Sequence, residues 1–161
     1  MSALVNEEQA NWMQSGVCSI IVASHDSQNR PSLGLAFGCR LSEDRATVVV
    51  FLLEAQSHGV LADLRAGRQA SMLFTQSFTT RALQLKAPLA REVPLQPTDP
   101  PMLDAFALAL AKEWSAGEPE AFTLALMNRE GDTLVAFELT PREAFDQTPG
   151  PRAGSPLGAA P

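Results

Sequence analysis

Cysteine, histidine and positive charge are what this 161-residue chain has least of: two cysteines, two histidines, and 12 basic residues against 18 acidic ones. Cys18 and Cys39 alone cannot make a zinc site or a disulfide scaffold, and the reading they leave is two small buried hydrophobes in a reducing compartment. A formal net charge of −6 argues against a sequence-independent grip on nucleic-acid phosphates. No apolar run reaches the roughly 18 residues of a membrane span. The opening MSALVNEEQANW has neither a basic nor an apolar leader region, so a cytoplasmic protein is the expectation. The chain also lacks a G-x-S-x-G elbow, a P-loop, an H-E-x-x-H helix and a G-x-G-x-x-G turn. If this is an enzyme, a cofactor carries its reaction.

What is present is ordinary for one globular domain: 45% hydrophobic and 19% charged residues, enough to close a core without staples. A first helix is predicted over Asn6 to Ser15, with Asn6 as N-cap, Gln9 in the capping-box position and Gly16 as the stop. Val17 to Asp26 and Pro31 to Leu41 read as a hairpin about Ser27 to Arg30, and matching their ends sets Cys18 opposite Cys39. In the second strand Leu33, Leu35, Phe37, Cys39 and Leu41 share one face, predicted to be core. The other face, Ser32, Gly34, Ala36, Gly38 and Arg40, is nearly free of side chains. Glycine there implies close approach to the backbone by a flat ligand or a second subunit, or else a tight bend.

The organising stretch is Ala46 to Lys86. A strand apolar on both faces (Ala46 to Leu53) meets a polar turn (Gln56 to Gly59), a short helix to Gly67, and strands Gln69 to Gln76 and Arg81 to Lys86. A proline-rich edge and loop follow, then an amphipathic helix from Pro100 to Ser115 ended by GEP. AFTLALMN and TLVAFEL are predicted as a hairpin about REGD. Residues 1–147 thus form a single domain, and 148–161 a flexible Pro/Gly-rich tail that buries nothing. Strands joined by short turns, with few helices, argue an antiparallel barrel in the α+β class.

Two readings stand at the turn. Ser57, His58 and the free N–H groups of a helix start make a seat for an anion, or Ser57 is an ordinary N-cap beside an exposed histidine. Arg81 and Lys86, at the two ends of a strand, are solvated cations or ligand contacts. Gln76 and Gln84 sit in otherwise apolar strands and need partners, either protein groups or the polar edge of a ligand.

Taken together, the strand, the S-H-G turn, the run A-x-x-L-x-x-x-R-Q-A-S-M-L-F and then T-T-R-A-L-Q-L-K-A resemble the pyridoxamine 5′-phosphate oxidase-like FMN-binding split-barrel family. The resemblance covers roughly Val17 to Leu95. It implies a six-stranded antiparallel split β-barrel with flanking helices, a homodimer, and FMN in a groove shared between subunits, serving a flavin-dependent oxidoreductase of a small-molecule substrate. It implies flavin contacts at Gly34, Ala36 and Gly38, phosphate contacts at Gln56, Ser57 and His58, and further polar contacts at Gln76, Arg81, Gln84 and Lys86. Family members typically carry S-R-K at the phosphate turn; here S-H-G removes two fixed cations. Arg65, Arg68 and Arg81 are the candidates to compensate. The alternative is a split barrel without flavin, acting as a binding module for haem or another flat ligand, with His25 or His58 as axial ligand.

Overall fold

Asn6 Oδ1 accepts the Gln9 N–H at 2.8 Å and Gln9 Oε1 accepts the Asn6 N–H at 2.9 Å, so the capping box starts the first helix as predicted. The structure, a computed structural model, describes residues 4–115 and 121–157. Its elements are α1 (Glu7–Gln14), β1 (Ser19–His25), β2 (Pro31–Ala36), β3 (Cys39–Leu41), β4 (Val48–Leu53), α2 (His58–Arg65), β5 (Ala70–Thr75), β6 (Ala82–Ala87), β7 (Ala90–Val93), α3 (Asp99–Trp114), α4 (Ala121–Leu126), β8 (Leu134–Leu139), β9 (Glu143–Asp146) and β10 (Ser155–Pro156). The GEP sequence at 117–119 and residues 158–161 lie outside the described residues. No described helix is long and apolar enough to cross a membrane.

The strands pair antiparallel in two sheets, one ordered β10-β9-β6-β5-β1-β2 and the other β3-β4-β8-β7. The six strands expected from sequence are therefore ten among the described residues, and the barrel is split rather than closed. All six residues of β4 are buried because both of its faces are covered. Val48, Val50 and Leu52 join the main core with Ile20, Val22 and Phe74, while Val49 and Phe51 pack under Leu103 of α3. That is why this strand reads as an unbroken apolar run.

The segment Pro31 to Leu41 is not one strand. It leaves the first sheet at Phe37 and enters the second at Cys39, turning on Gly38, whose φ is +149°. The face assignment made from alternation is inverted in β2: Leu33 is 68% exposed, whereas Gly34 and Ala36 are buried. Period-two alternation tells which residues share a face, not which face is covered. The side-chain-poor face is filled by helices of the same chain. A Cβ on Gly34 would lie 2.9 Å from Ser57 Oγ and 3.0 Å from Val60, and one on Gly38 would lie 2.5 Å from Leu103.

Two further expectations are corrected. Ala121–Leu126 is helix rather than strand, because β8 already has β4 on one side and β7 on the other and offers no edge for a hairpin partner. The tail folds back as far as Leu157: Ser155 and Pro156 pair with Asp146 and Phe145 of β9, and Leu157 N–H donates to Ala144 O at 2.7 Å. Those contacts are made mostly by backbone, to which composition is blind.

β1 pairs with β2 through Ile20 opposite Ala36, one residue away from the register that sets Cys18 against Cys39. The two thiols still converge, 3.6 Å and 3.4 Å from the Met13 carbonyl oxygen, and both are free. Burial pushes the Cys18 thiol up to about 12 and raises Cys39 well above its usual range. Both are therefore expected to resist iodoacetamide at pH 8 in the native protein, on the order of a hundred-fold or more slower than in urea, as mass spectrometry would read. An unfolded thiol ionises near 9.0 and folded Cys18 near 12, so this contribution to stability is complete below pH 9 and is lost between pH 9 and 12. Cys18→Ala should flatten that part of a plot of urea midpoint against pH.

Candidate functional site

The residues singled out from sequence fall into separate groups. Around the start of α2, Ser57 occupies the N-cap position without making the cap bond, with φ −130° and ψ 20°. Its hydroxyl is buried and has no partner. The first N–H groups of the helix are unpaired within it by geometry, so donors for an anion are present. Gln56 and His58 beside it are exposed. Gly34 backs this turn from β2, Ala36 lies two residues on along the same strand face, and Gly38 is further along the chain under α3. Ser32 Oγ donates to buried Asp63, fastening the middle of α2 to β2.

Two of the three arginines expected to compensate, Arg65 and Arg81, are tied to carboxylates elsewhere. Arg65 lies at the far end of α2, about 12 Å away by helix rise, where it binds Glu54 at 3.0 Å and Glu92 at 2.7 Å. Donating hydrogen bonds to Glu92 and Glu54 raises the Arg65 pKa, and the bond it donates to Glu92 in turn holds that carboxyl below the usual carboxylate range. Arg68 lies beyond the same end. Arg81 makes a two-pronged pair with Glu8 at 2.6 and 2.8 Å and lies over the Trp12 ring, 4.3 Å from its centroid. That bond depresses the Glu8 carboxyl and raises Arg81. Gln76 belongs to the same cluster, its Oε1 accepting from Trp12 Nε1 at 3.0 Å and Thr79 Oγ1 at 3.2 Å.

Gln84 and Lys86 stand on the outer face of the six-stranded sheet. The registers align Leu35, Ile21, Leu73, Gln84 and Phe145 in one half-buried row across five strands. Gln84 is held at both ends of its amide, donating to Ser71 Oγ at 2.8 Å and accepting from Gln147 Nε2 at 2.9 Å. Lys86 Nζ lies 4.7 Å from the Phe145 ring centroid. Toward the β5–β6 turn the row opens into a cavity of about 540 Å³, floored by Leu73, Ala82 and Pro149 and walled by Gln76, Gln84 and Gln147. Gln76 keeps its Nε2 hydrogens and Gln147 its Oε1 uncommitted within the chain. Gln147 was not singled out in the sequence, since nothing local shows that β9 pairs with β6.

No family model and no curated protein sequence matches the chain. Solved structures do. HupZ of group A Streptococcus superposes with a TM-score of 0.54 at 15% identity, covering 93% of this chain and 99% of that one. A protein of Lactobacillus delbrueckii provisionally named a pyridoxamine 5′-phosphate oxidase gives 0.52 at 16% identity, covering 88% and 93%. The chain has the pyridoxamine 5′-phosphate oxidase-like split-barrel fold. HutZ of Vibrio cholerae, a haem storage protein, also matches the split barrel, at 0.50 and 14% identity over 87% and 93% of the two chains.

Within this split barrel the predicted site is divided. Ser57 lies on the covered side of edge strand β2, and Gln84 on the outer side of β6. With β1 and β5 between them, three strand spacings separate them by about 14 Å. A single flat ligand on one copy of the chain does not touch both groups.

Proposed function

We propose that this chain is a homodimeric flavoprotein that holds FMN in a groove shared by two copies and uses it as the redox group for a small-molecule substrate. The observation that carries this reading is the amide-walled cavity on the outer sheet face. An isoalloxazine is a flat apolar body with an imide edge, one N–H between two carbonyls. Leu73 and Ala82 suit its body, and the free donors of Gln76 with the free acceptor of Gln147 suit its edge. The division of the site supports the dimer, since the phosphate end at Ser57 would come from one copy and the ring seat from the other. The half-buried row through Ile21 and Leu73 is the surface for the second copy to cover.

Bound flavin would supply electron or hydride transfer, and the residues around the cavity bind and orient it. The phosphate end fits in donors, through the orphaned Ser57 hydroxyl and the α2 N–H groups, but not in charge. FMN is therefore expected to bind in the micromolar range, no more than about tenfold tighter than riboflavin.

The purified protein should be yellow, or titrate calorimetrically with added FMN, and light scattering should give twice the chain mass. A colourless protein silent to FMN would sink the reading, and a Soret band on haem titration in its place would favour the haem alternative. Ser57→Ala separates stability from binding. Removing a buried, unpaired hydroxyl should stabilise the apo protein by about 1 kcal/mol, a few degrees in Tm, while FMN affinity falls up to about tenfold.

A further inference from the structure

We propose that the cavity between the end of α3 and the β5–β6 turn is a binding site for a small organic cation, a primary ammonium on an apolar chain. It encloses about 510 Å³ and is lined by Ser77, Phe78, Glu113 and Trp114. Of these only Ser77 also borders the amide-walled cavity, and the proposal does not depend on the flavin reading.

The Glu113 carboxylate singles this place out. Eight carboxylates among the described residues are each paired with an arginine. Glu113 is not: its Oε1 is buried without a hydrogen bond, and no ion pair reaches the side chain. Among the described residues only Ser57 Oγ shares that condition. A carboxylate with an unmatched buried oxygen costs stability, and a donor brought to it from the cavity recovers part of that cost. Glu113 and Trp114 also end α3, so the negative pole of a 16-residue helix adds to the same field. Lys112, the basic residue of that last turn, is exposed and does not line the cavity.

The aromatic residues supply the rest of the recognition. Phe78 is 64% exposed and Trp114 half-buried, one on each side of the cavity. The turn that carries Phe78 is already closed, with the Gln76 N–H donating to Arg81 O at 3.0 Å and the Arg81 N–H to Thr79 Oγ1 at 3.3 Å. An ammonium between a carboxylate and aromatic rings gains a charge-assisted bond and a cation–π attraction together. Other ligand classes forgo one or both. An anion is repelled by Glu113 and by the helix end, a neutral apolar molecule leaves the carboxylate unmatched, and a quaternary ammonium has no N–H to give it.

The test is titration of the full-length protein with n-butylammonium chloride and, separately, with n-butanol, at constant ionic strength near neutral pH, following backbone amide and indole N–H shifts. Saturable shifts at Phe78, Glu113 and Trp114 are expected with the ammonium, at least about tenfold tighter than with the alcohol. Glu113→Gln should weaken ammonium binding about tenfold with a thermal midpoint unchanged or raised. Phe78→Ala, at an exposed side chain that the fold does not need, should weaken it several-fold. Glu43→Gln, which removes the same charge from the exposed turn before β4, should leave it unchanged. The proposal is overturned if the ammonium does not saturate, if the alcohol binds as tightly, or if Glu113→Gln and Glu43→Gln weaken binding equally.

Discussion

Gly38→Ala is expected to destabilise the protein by about 3 to 5 kcal/mol, read as a fall in the urea midpoint without loss of cooperativity. Two costs combine. At φ +149° an alanine occupies backbone space that L residues rarely enter, and its Cβ would stand 2.5 Å from Leu103 Cδ2. Neither is easily relieved, because this is the corner where the chain changes sheets. Phe37 N–H donates to Phe51 O at 2.8 Å and Phe51 N–H donates to Gly38 O at 3.2 Å, so a shift at the corner disturbs the pairing of β4. Leu103 is fully buried and cannot swing out. The two costs can be separated with Leu103→Ala, which removes the clash but not the torsion. If the clash dominates, the double variant is more stable than the sum of the single effects predicts; if the torsion dominates, the effects add.

The same corner marks where sequence reading ran out. Its glycines announced that something approaches the backbone closely, and one expectation offered for them was a bend, which Gly38 makes. What approaches Gly34 is α2 of the same chain, and period-two alternation carries no information about which face a helix covers. Signals confined to a few neighbouring residues were legible: the Asn6–Gln9 capping box, β4 buried on both faces, and the stripe of Leu103, Phe106 and Leu110 on α3. Features that depend on distant pairing were not. AFTLALMN lost its hairpin because β7, some thirty residues earlier, already occupies the free edge of β8. At the candidate site, the need of Gln76 and Gln84 for partners was visible in apolar strands, and the structure supplies protein ones. Gln147 and Ser71 came into view only with β5, β6 and β9 side by side.

Asp99→Ala is expected to cost about 2 to 4 kcal/mol, with Asp99→Asn retaining part of the loss. Asp99 is a fully buried carboxylate at the first turn of α3, where its charge also suits the helix dipole. One oxygen accepts from Arg40 Nε at 3.0 Å and the other from the Gln96 N–H at 2.8 Å. Alanine leaves the Gln96 donor without that acceptor and the Arg40 guanidinium without its counter-charge. The Arg40 side chain is 26% exposed, so water recovers part of the loss, which places the effect below that of a wholly buried pair. Arg40 is on β3 and Asp99 on α3, so the pair locks the long helix onto the smaller sheet at the same end where Leu103 covers Phe51. The double variant Arg40→Met, Asp99→Leu discriminates the cause. If the penalty comes from stranding one charge, replacing both by apolar groups should restore most of the stability in thermal unfolding. If it stays as unstable as Asp99→Ala, the Gln96 bond that shapes the entry to α3 is what matters.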